Sequence, residues 1–507
     1  MTLAQVVVYL PSMDEVSTNF SESADQREIR LAKLKRLQTL GITPYAYHFA
    51  RTHRVHEIVA GFEELSQTAV VVQVAGRLMS RRKHGRTQFG HIQDEKGRLQ
   101  LYFRQDVLGS EAYEHLELLD IGDVIGVRGE VFRTKTGEIT VNVKEWTLLS
   151  KSLLPLPEKF HGLRDVEARY RQRYLDLIMN PASREVSIRR SQIIQLVRQF
   201  LNERGFIEVE TPILQPLYGG ASARPFTTYY NVLEQEMFLR ISDELYLKRL
   251  IVGGLERVYE IGKDFRNEGL DRTHNPEFTQ LELYQAYADY YDMMTLVEDL
   301  FKYLALTLNG KTEIEFAGQQ IDFGKSWRRI KFVEALVEKI EVNPLELSDP
   351  MLIKIGARFG IEIKPNTSRA KIIDKLFSEL IQDKILEPTF ICDHPKETTP
   401  LAKPHRDDPR LVERFEPVVC GMEIGNAFSE LNDPLEQRER FIAAVNRNEE
   451  FATVDDDYCT ALEYGLPPTG GLGIGIDRLV MLFTNQDSIR DVILFPQLRQ
   501  EKEQGEV

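Results

Sequence analysis

The stretch Phe265-Arg266-Asn267-Glu268-Gly269-Leu270-Asp271-Arg272-Thr273-His274-Asn275-Pro276-Glu277-Phe278 carries in one loop the groups needed to hold a nucleoside triphosphate. An arginine beside a carboxylate offers donors for phosphate and an acceptor for a base edge. Gly269 marks a turn, and the Phe278 ring close behind it offers a stacking face. The spacing predicts a hairpin that binds ATP. The strands predicted around it, Phe206 to Glu210, Val258 to Ile261 and Glu277 to Leu283, lack the regular crossover spacing of a parallel nucleotide fold. An α+β domain is therefore expected, with an antiparallel sheet flanked by helices. A charged hairpin on a solvated surface would give a similar string, so the rest of the chain has to decide.

At 507 residues the chain is too long for one core and should divide into two or three domains. Its formal net charge of −14 excludes a protein that coats nucleic acid through a global positive field, and any such contact must come from a local patch. Cys392, Cys420 and Cys459 are widely separated and lack metal-ligand spacing, which fits a reducing compartment and argues against a disulfide scaffold or zinc site. The apolar run Val6 to Leu10 has no basic residues before it and stops at Pro11, so it does not read as a secretion signal. No apolar stretch approaches the roughly 20 residues of a membrane span. A cytoplasmic protein with no membrane contact is expected.

Residues 1–24 read as a mobile leader, polar and serine-rich after the short apolar run. Leu31, Leu34 and Leu37 mark one face of a helix from Gln26 to about Leu40, with Lys33, Lys35 and Arg36 pointing away from it. From about Ala69 to Ser150 short strands are predicted at Val70–Val74, Phe89–Ile92, Leu99–Phe103, Val124–Val131 and Ile139–Val143, with a helix near Glu111 to Leu118. Five strands and one helix suggest a closed barrel of the OB type, so residues 25–150 form a first domain. Residues 151–163, with Pro155 and Pro157, read as a linker. Residues 164–507 form the second domain, in which about 345–384 is mostly helical and looks like an insertion.

Two further segments of the second domain matter. A helix from Ile193 to Asn202 presents Ile193, Ile194, Val197, Phe200 and Leu201 to a core and leads through Ile207-Glu208-Val209-Glu210 to Thr211-Pro212. Near the other end, Gly470-Gly471-Leu472-Gly473-Ile474-Gly475 precedes a helix beginning Ile476-Asp477-Arg478. Glycines there let backbone approach a ligand, and Arg478 could stack on a base or meet a phosphate. The run is not the dinucleotide fingerprint, which wants glycine where Ile476 stands. Together, in this order, these two segments and the hairpin resemble the three signature motifs of class II aminoacyl-tRNA synthetases. The strings Gly219-Gly220-Ala221-Ser222-Ala223-Arg224-Pro225-Phe226, Glu244-Leu245-Tyr246-Leu247-Lys248-Arg249 and Glu423-Ile424-Gly425-Asn426-Ala427-Phe428-Ser429-Glu430-Leu431 are similar to those of the bacterial lysyl-tRNA synthetases. The resemblance runs from about Gln26 to Leu498.

That resemblance implies an ATP- and Mg²⁺-dependent ligase that makes lysyl-adenylate and passes lysine to the 3′ end of its tRNA. It implies that Arg266 bridges the substrate carboxylate and the α-phosphate, that Glu268 meets the adenine amino group, and that Phe278 and Arg478 sandwich the ring. Arg266, Glu268 and Arg478 are the catalytic candidates, and His274, Asn275 and Glu416 join them and Phe278 as ATP ligands. Glu416 and Glu423, flanking the turn at Cys420-Gly421, are assigned to magnesium; without the resemblance they read as surface glutamates of a hairpin. For lysine, Glu244 and the backbone of Gly220 are assigned to the α-amine, Arg266 and Asn426 to the carboxylate, and Glu430 with Tyr284 to the ε-ammonium, with Glu282 supporting the negative field. Pairing is expected to hold these buried glutamates ionised.

In the barrel, Arg77, Arg81, Arg82, Lys83 and Arg86 cluster at the first turn, Phe89 opens the next strand and Gln100 lies on the one after. A basic rim beside an aromatic can grip splayed single-stranded bases. The family reads the tRNA anticodon with this barrel, which assigns Arg81, Arg82, Phe89, Gln100 and Glu138 to tRNA, although Phe89 could be core. The group is usually homodimeric, with the segment ending at Pro212 at the interface. Two other readings are a ligase that modifies a protein side chain, whose relatives lack such a barrel, and a synthetase-like RNA-binding regulator without catalysis. The aspartate and asparagine enzymes share the architecture, but Glu244, Glu282 and Glu430 favour a cationic substrate.

Overall fold

The computed structural model describes residues 13–157, 165–447 and 451–499, with side chains from residue 25. The chain divides into two compact units between Gly162 and Leu163. In the first, helix α1 (Met13–Thr39) starts well before the expected Gln26, inside the stretch read as a leader; residues 1–12 lie outside the described residues. Its inner side is less apolar than the leucine stripe suggests. Leu37 is buried, but so is Arg30, which donates to the Ser152 and Leu154 carbonyls, and Lys33 pairs with Asp120 at 2.6 Å instead of pointing away.

Five strands, β1 (Val71–His84), β2 (Thr87–Gln93), β3 (Arg98–Arg104), β4 (Val124–Arg133) and β5 (Ile139–Ser150), close into the expected barrel in the order β1-β2-β3-β5-β4. They run longer than their apolar cores suggested, because β1 continues past a register shift between Leu78 and Ser80 into the basic turn. Alternate residues such as Val72, Val74, Ile92, Leu101 and Val141 fill the interior. The start of the expected linker is fastened to the barrel: Lys151 is buried with its ammonium 2.6 Å from Asp120 and 2.9 Å from Asp123. Residues 158–163 of that linker lie outside the described residues.

The second unit is built on a nine-stranded sheet of β6 (Ile207–Glu208), β7 (Arg257–Phe265), β8 (Glu277–Ala286), β9 (Arg328–Lys331), β10 (Thr389–Pro395), β11 (Leu411–Val419), β12 (Met422–Glu423), β13 (Gly425–Ser429) and β14 (Thr469–Gly475). Its order is β9-β10-β11-β13-β14-β8-β7-β6, with β12 paired to β11. The middle is antiparallel as expected, but the two ends are parallel pairs, β6 with β7 and β9 with β10, so the sheet is mixed. Each of those edge strands is followed, before its partner begins, by a connection long enough to cross the sheet, which parallel pairing requires.

Helix α2 (Pro181–Glu203) lies on one face of the sheet with Ile193, Val197, Phe200 and Leu201 buried. Each contributes about 1.5–3 kcal/mol of burial, so the helix is held by its packing and not by its propensity. Helix α4 (Tyr290–Asn309) joins it there, begun by Asp289, whose side chain accepts from the Tyr291 and Asp292 amides. Helix α3 (Glu244–Val252) and helix α5 (Ile476–Thr484) each turn residues of their first turn, Glu244 and Arg478 among them, toward a cavity of this unit. Helices at Asp349–Arg358 and Arg369–Leu380, within the stretch read as a helical insertion, share a core with β10 and β11 through Ile391 and Val418.

Candidate active site

The period of two along β8 decides which side chains reach the site. Leu281 and Leu283 turn into the core beneath the helices, while Phe278, Gln280, Glu282 and Tyr284 line a cavity of about 510 Å³ on the other face. Registering Phe265 with Glu277 closes the hairpin, and the Arg266 amide donates to the Pro276 carbonyl at 2.8 Å, so the loop between them stands over that cavity. On the other side β14 pairs Glu282 with Gly473 and Tyr284 with Gly471. A β-carbon on Gly471 would sit 2.0 Å from Glu430 Oε1 and 2.6 Å from the Tyr284 ring, so the glycine run is what makes room for the acidic side chains. Asp477 then ties the three signature segments together. Its carboxylate accepts from Arg190 of α2 (2.6 Å) and from the Thr279 amide of β8 (2.8 Å), and the next residue, Arg478, faces the cavity.

At the hairpin end of the cavity stand Arg266, Glu268, His274, Asn275, Phe278, Glu423 and Arg478. The Arg266 guanidinium lies 5.0 Å from the Phe278 ring centre and makes two long bonds, 3.4 Å each, to the Ile241 carbonyl. Arg478 donates to the Glu423 carbonyl at 2.6 Å and toward His274 Nε2 at 3.4 Å. Asn275 uses its amide within the protein, donating to the Glu277 carbonyl and accepting from the Gln497 amide, so it braces the loop while lining the cavity. Glu416 departs from expectation. It is not among the residues lining the cavity; it is buried behind Glu423, paired with Arg414 at 2.5 Å. Burial pushes its carboxyl up to about 8 against the attraction of Arg414, and Glu423 and Asp374 push the same way. Three carboxylates around one guanidinium are an oxygen-rich set with negative charge to spare, which suits a hard divalent cation. Arg414, which lines the cavity and holds Asn426 Oδ1 at 2.9 Å, was missed in the sequence; its alternation with Glu416 on one strand was the available signal.

The other end is an acidic recess. Gly220, Glu244, Glu282, Tyr284, Asn426 and Glu430 all line it, with Arg266 between this recess and the hairpin end. Gly220 has φ +86°, and a β-carbon there would meet Ser242 Oγ at 2.8 Å, so glycine is needed for both reasons. Glu282 accepts from Ser242 Oγ (2.9 Å), Gln280 Nε2 (2.8 Å) and the Tyr284 hydroxyl (3.2 Å). Lys248, one turn along α3 from Glu244, is fully buried and pairs with both Glu244 (2.5 Å) and Glu430. Among the described residues neither Glu430 oxygen has a hydrogen-bond partner, and Oε2 has only its ion pair with Lys248 while Oε1 has none. These glutamates are not held simply ionised as expected: burial above all raises Glu430 to about 8 against the attraction of Lys248, with Glu244 and Glu282 pushing the same way. It also raises Glu282 to about 7, where Asp264 and Glu244 add to it and hydrogen bonds from Asp243 and Ser242 oppose it. The recess is short of positive charge.

On the barrel, Phe89 is outward-facing and not core. Its ring stacks on Tyr102 at 4.5 Å, and Tyr102 lies 6.0 Å from Phe132, an aromatic strip drawn from β2, β3 and β4 that passes over β5. Beside it Glu138 accepts from Gln100 Nε2 (2.6 Å) and contacts His91 Nε2 (2.8 Å). Arg82 pairs directly across from Phe89 and shares its face. Arg81 does not: it points to the opposite face, where it bonds the Leu116 carbonyl and Glu117. Tyr102, Phe132 and His91 went unnoticed in the sequence because only the register brings them together.

Over residues 165–499 the sequence matches the family described as tRNA synthetases class II (D, K and N), and over 72–149 the OB-fold nucleic acid binding domain. The chain belongs to the class II tRNA synthetases of that group. Within it, the chain is 54% identical over 487 residues to the lysine--tRNA ligase of Roseiflexus castenholzii, covering 94% of this chain and 99% of the relative. It is 51% identical over 492 residues to that of Syntrophomonas wolfei, covering 96% and 99%. To the enzyme of the same description from Carboxydothermus hydrogenoformans it is 51% identical over 477 residues, covering 93% and 97%.

Proposed function

We propose that the protein activates L-lysine with ATP to lysyl-adenylate and transfers the lysyl group to the 3′ terminal ribose of its tRNA. The observation that carries this reading is one cavity with an acidic recess at one end, a stacking ring and Arg478 at the other, and Arg266 between. In activation the substrate carboxylate attacks the α-phosphorus and pyrophosphate leaves, so two anions must be held side by side. Arg266 serves that need for the lysine carboxylate and the α-phosphate, with Asn426 as a further donor to the carboxylate. Phe278 and Arg478 sandwich the adenine, Glu268 accepts from its amino group, and His274 and Asn275 complete the nucleotide loop. Glu416 and Glu423 would hold Mg²⁺, which when bound neutralises charge on the phosphate oxygens. Glu244 and the Gly220 backbone take the α-amine, and Glu430 and Tyr284 take the ε-ammonium.

Lysine-dependent pyrophosphate exchange, measured with each of the twenty amino acids, tests the substrate directly. Exchange with lysine well above the rest is expected; exchange with aspartate or asparagine instead would overturn the reading. The barrel face of Phe89, Arg82, Gln100 and Glu138 is suited to unstacked anticodon bases. Phe89→Ala should lower tRNA charging by roughly 10- to 100-fold, one stacked base being worth about 1–3 kcal/mol, and leave exchange intact. Equal loss of both would remove the anticodon role. A homodimer through the segment ending at Pro212 is supported by exposed Ile207 on the sheet-edge strand β6 and by exposed Ile213 and Leu214. No helix among the described residues is long and apolar enough to cross a membrane, and all three cysteines are free. Cytoplasmic work is the setting in which the tRNA substrate is met.

A further inference from the structure

Lys248 is a lysine side chain, fully buried, inserted among the very carboxylates proposed to recognise lysine. It does not line the cavity; it reaches Glu244 and Glu430 from behind. Its Nζ lies 2.5 Å from Glu244 Oε1 on its own helix and contacts Glu430 Oε2 just beyond β13, while the Tyr284 ring of β8 is 5.7 Å away. Tyr458, from the helix Asp456–Glu463, completes the surroundings, its buried hydroxyl without a hydrogen-bond partner among the described residues. Nothing in the motif reading assigns this ammonium a task.

We infer that Lys248 is a positioning residue for substrate selection, whose ammonium occupies one oxygen of Glu430 and one of Glu244 from the protein side, so that Glu430 Oε1 is presented to the substrate. The inference rests on the lysine reading above. Of the carboxylates lining the recess, Glu244, Glu282 and Glu430 carry three negative charges when ionised, and Lys248 neutralises one; behind Glu282, Asp264 is paired with Arg240 at 3.1 Å and burial pushes the Asp243 carboxyl well up toward its neutral form. The remainder matches the two ammonium groups of lysine, whose carboxylate faces Arg266. Without Lys248 the recess would be over-supplied with carboxylate, and buried carboxylates crowded together take up protons instead of staying charged. A protonated carboxyl hydrogen-bonds a hydroxyl about as readily as an ammonium, so charge selectivity would fall. Burial already raises Glu430 with Lys248 present, so little margin exists for losing it.

The test compares wild type with Lys248→Met in the full-length protein, using lysine and its uncharged isostere 6-hydroxynorleucine in pyrophosphate exchange. Truncating one partner of a buried charge pair predicts a lysine KM raised about 30- to 100-fold at pH 7, with the KM for ATP changed less than about threefold. The preference for lysine over the isostere should fall by a similar factor. The deficit should be full at and below neutrality and shrink only as the pH rises past about 8, since Glu430, already raised that far with Lys248 present, rises further without its cation and is ionised again only in more alkaline solution. A loss that is independent of pH, or equal for ATP and lysine, means Lys248 only holds the fold and overturns the inference. If Lys248→Met does not accumulate, Lys248→Arg, which keeps the charge, should retain selectivity within about threefold; a loss of about 30-fold or more there overturns it as well. Absence of lysine-dependent exchange in the wild type would instead overturn the substrate reading itself, so the two failures are distinct.

Discussion

Glu430→Gln is expected to raise the lysine requirement of pyrophosphate exchange by about two to three orders of magnitude while leaving the KM for ATP almost unchanged. Glutamine keeps the shape of the side chain between Gly471 and the Tyr284 ring, so the geometry of the recess survives. What goes is the charge. The substrate ammonium would then enter a buried site with an amide in place of a carboxylate, and truncating a buried charge pair on one side costs about 2–5 kcal/mol. The same change deprives Lys248 of one of its two carboxylates, so a lower melting temperature should accompany it. The nucleotide end is built from Arg266, Glu268, Phe278 and Arg478, and among the described residues none of these hydrogen-bonds or ion-pairs with Glu430, so ATP affinity is the internal control. Unaltered lysine dependence would remove Glu430 from the ε-ammonium site. A parallel rise in both KM values would mean that the cavity had collapsed and that the variant reports on folding alone.

The two ends of the cavity were legible in the sequence to different degrees, for physical reasons. Phe278, Glu282 and Tyr284 alternate on one strand, so naming the strand also names the face they share. The glycine run holding Gly471 was legible as a place of close backbone approach, whereas Gly220 was reached only through the resemblance, and its φ of +86° gives the physical reason for glycine there. Lys248 was not legible as part of the site. Glu244 was assigned to the α-amine, but nothing in its i, i+4 spacing from Lys248 marks the lysine as buried, and only the fold brings Glu430 to the same ammonium. The buried position of Glu416 was hidden for a similar reason: Glu416 and Glu423 flank a turn, but which of them opens onto the cavity depends on the strands packed behind. On the barrel, adjacent Arg81 and Arg82 look equivalent in sequence, and strand geometry sends them to opposite faces. The early start of α1 had no apolar period to announce it. The parallel ends of the sheet depend on where long connections return, which local pattern does not encode.

Arg266→Ala should reduce the rate of adenylate formation by about three orders of magnitude or more, and the loss should fall on kcat more than on either KM. Among the described residues no carboxylate lies within ion-pair distance of this guanidinium, and its bonds to the Ile241 carbonyl are long, so its charge is available to the cavity. It is held in place by the Phe278 ring and by the hairpin backbone, not by a competing anion. In the ground state the lysine carboxylate and the α-phosphate each carry charge that other groups help to hold. Negative charge gathers on the α-phosphate oxygens as the new bond forms and pyrophosphate departs, and a fixed cation beside them is worth most at that moment. Removing a single well-placed donor from such a site costs about 10²–10³ in kcat, and here a full charge goes with it. Lysine should restore part of the rate, since it supplies the charge without the planar fork that can bridge two anions. Single-turnover adenylate formation at saturating lysine and ATP reads the chemical step alone. If that rate held while only the KM for lysine rose, Arg266 would be a carboxylate anchor with no part in stabilising the reacting phosphate, and the bridging role would be lost.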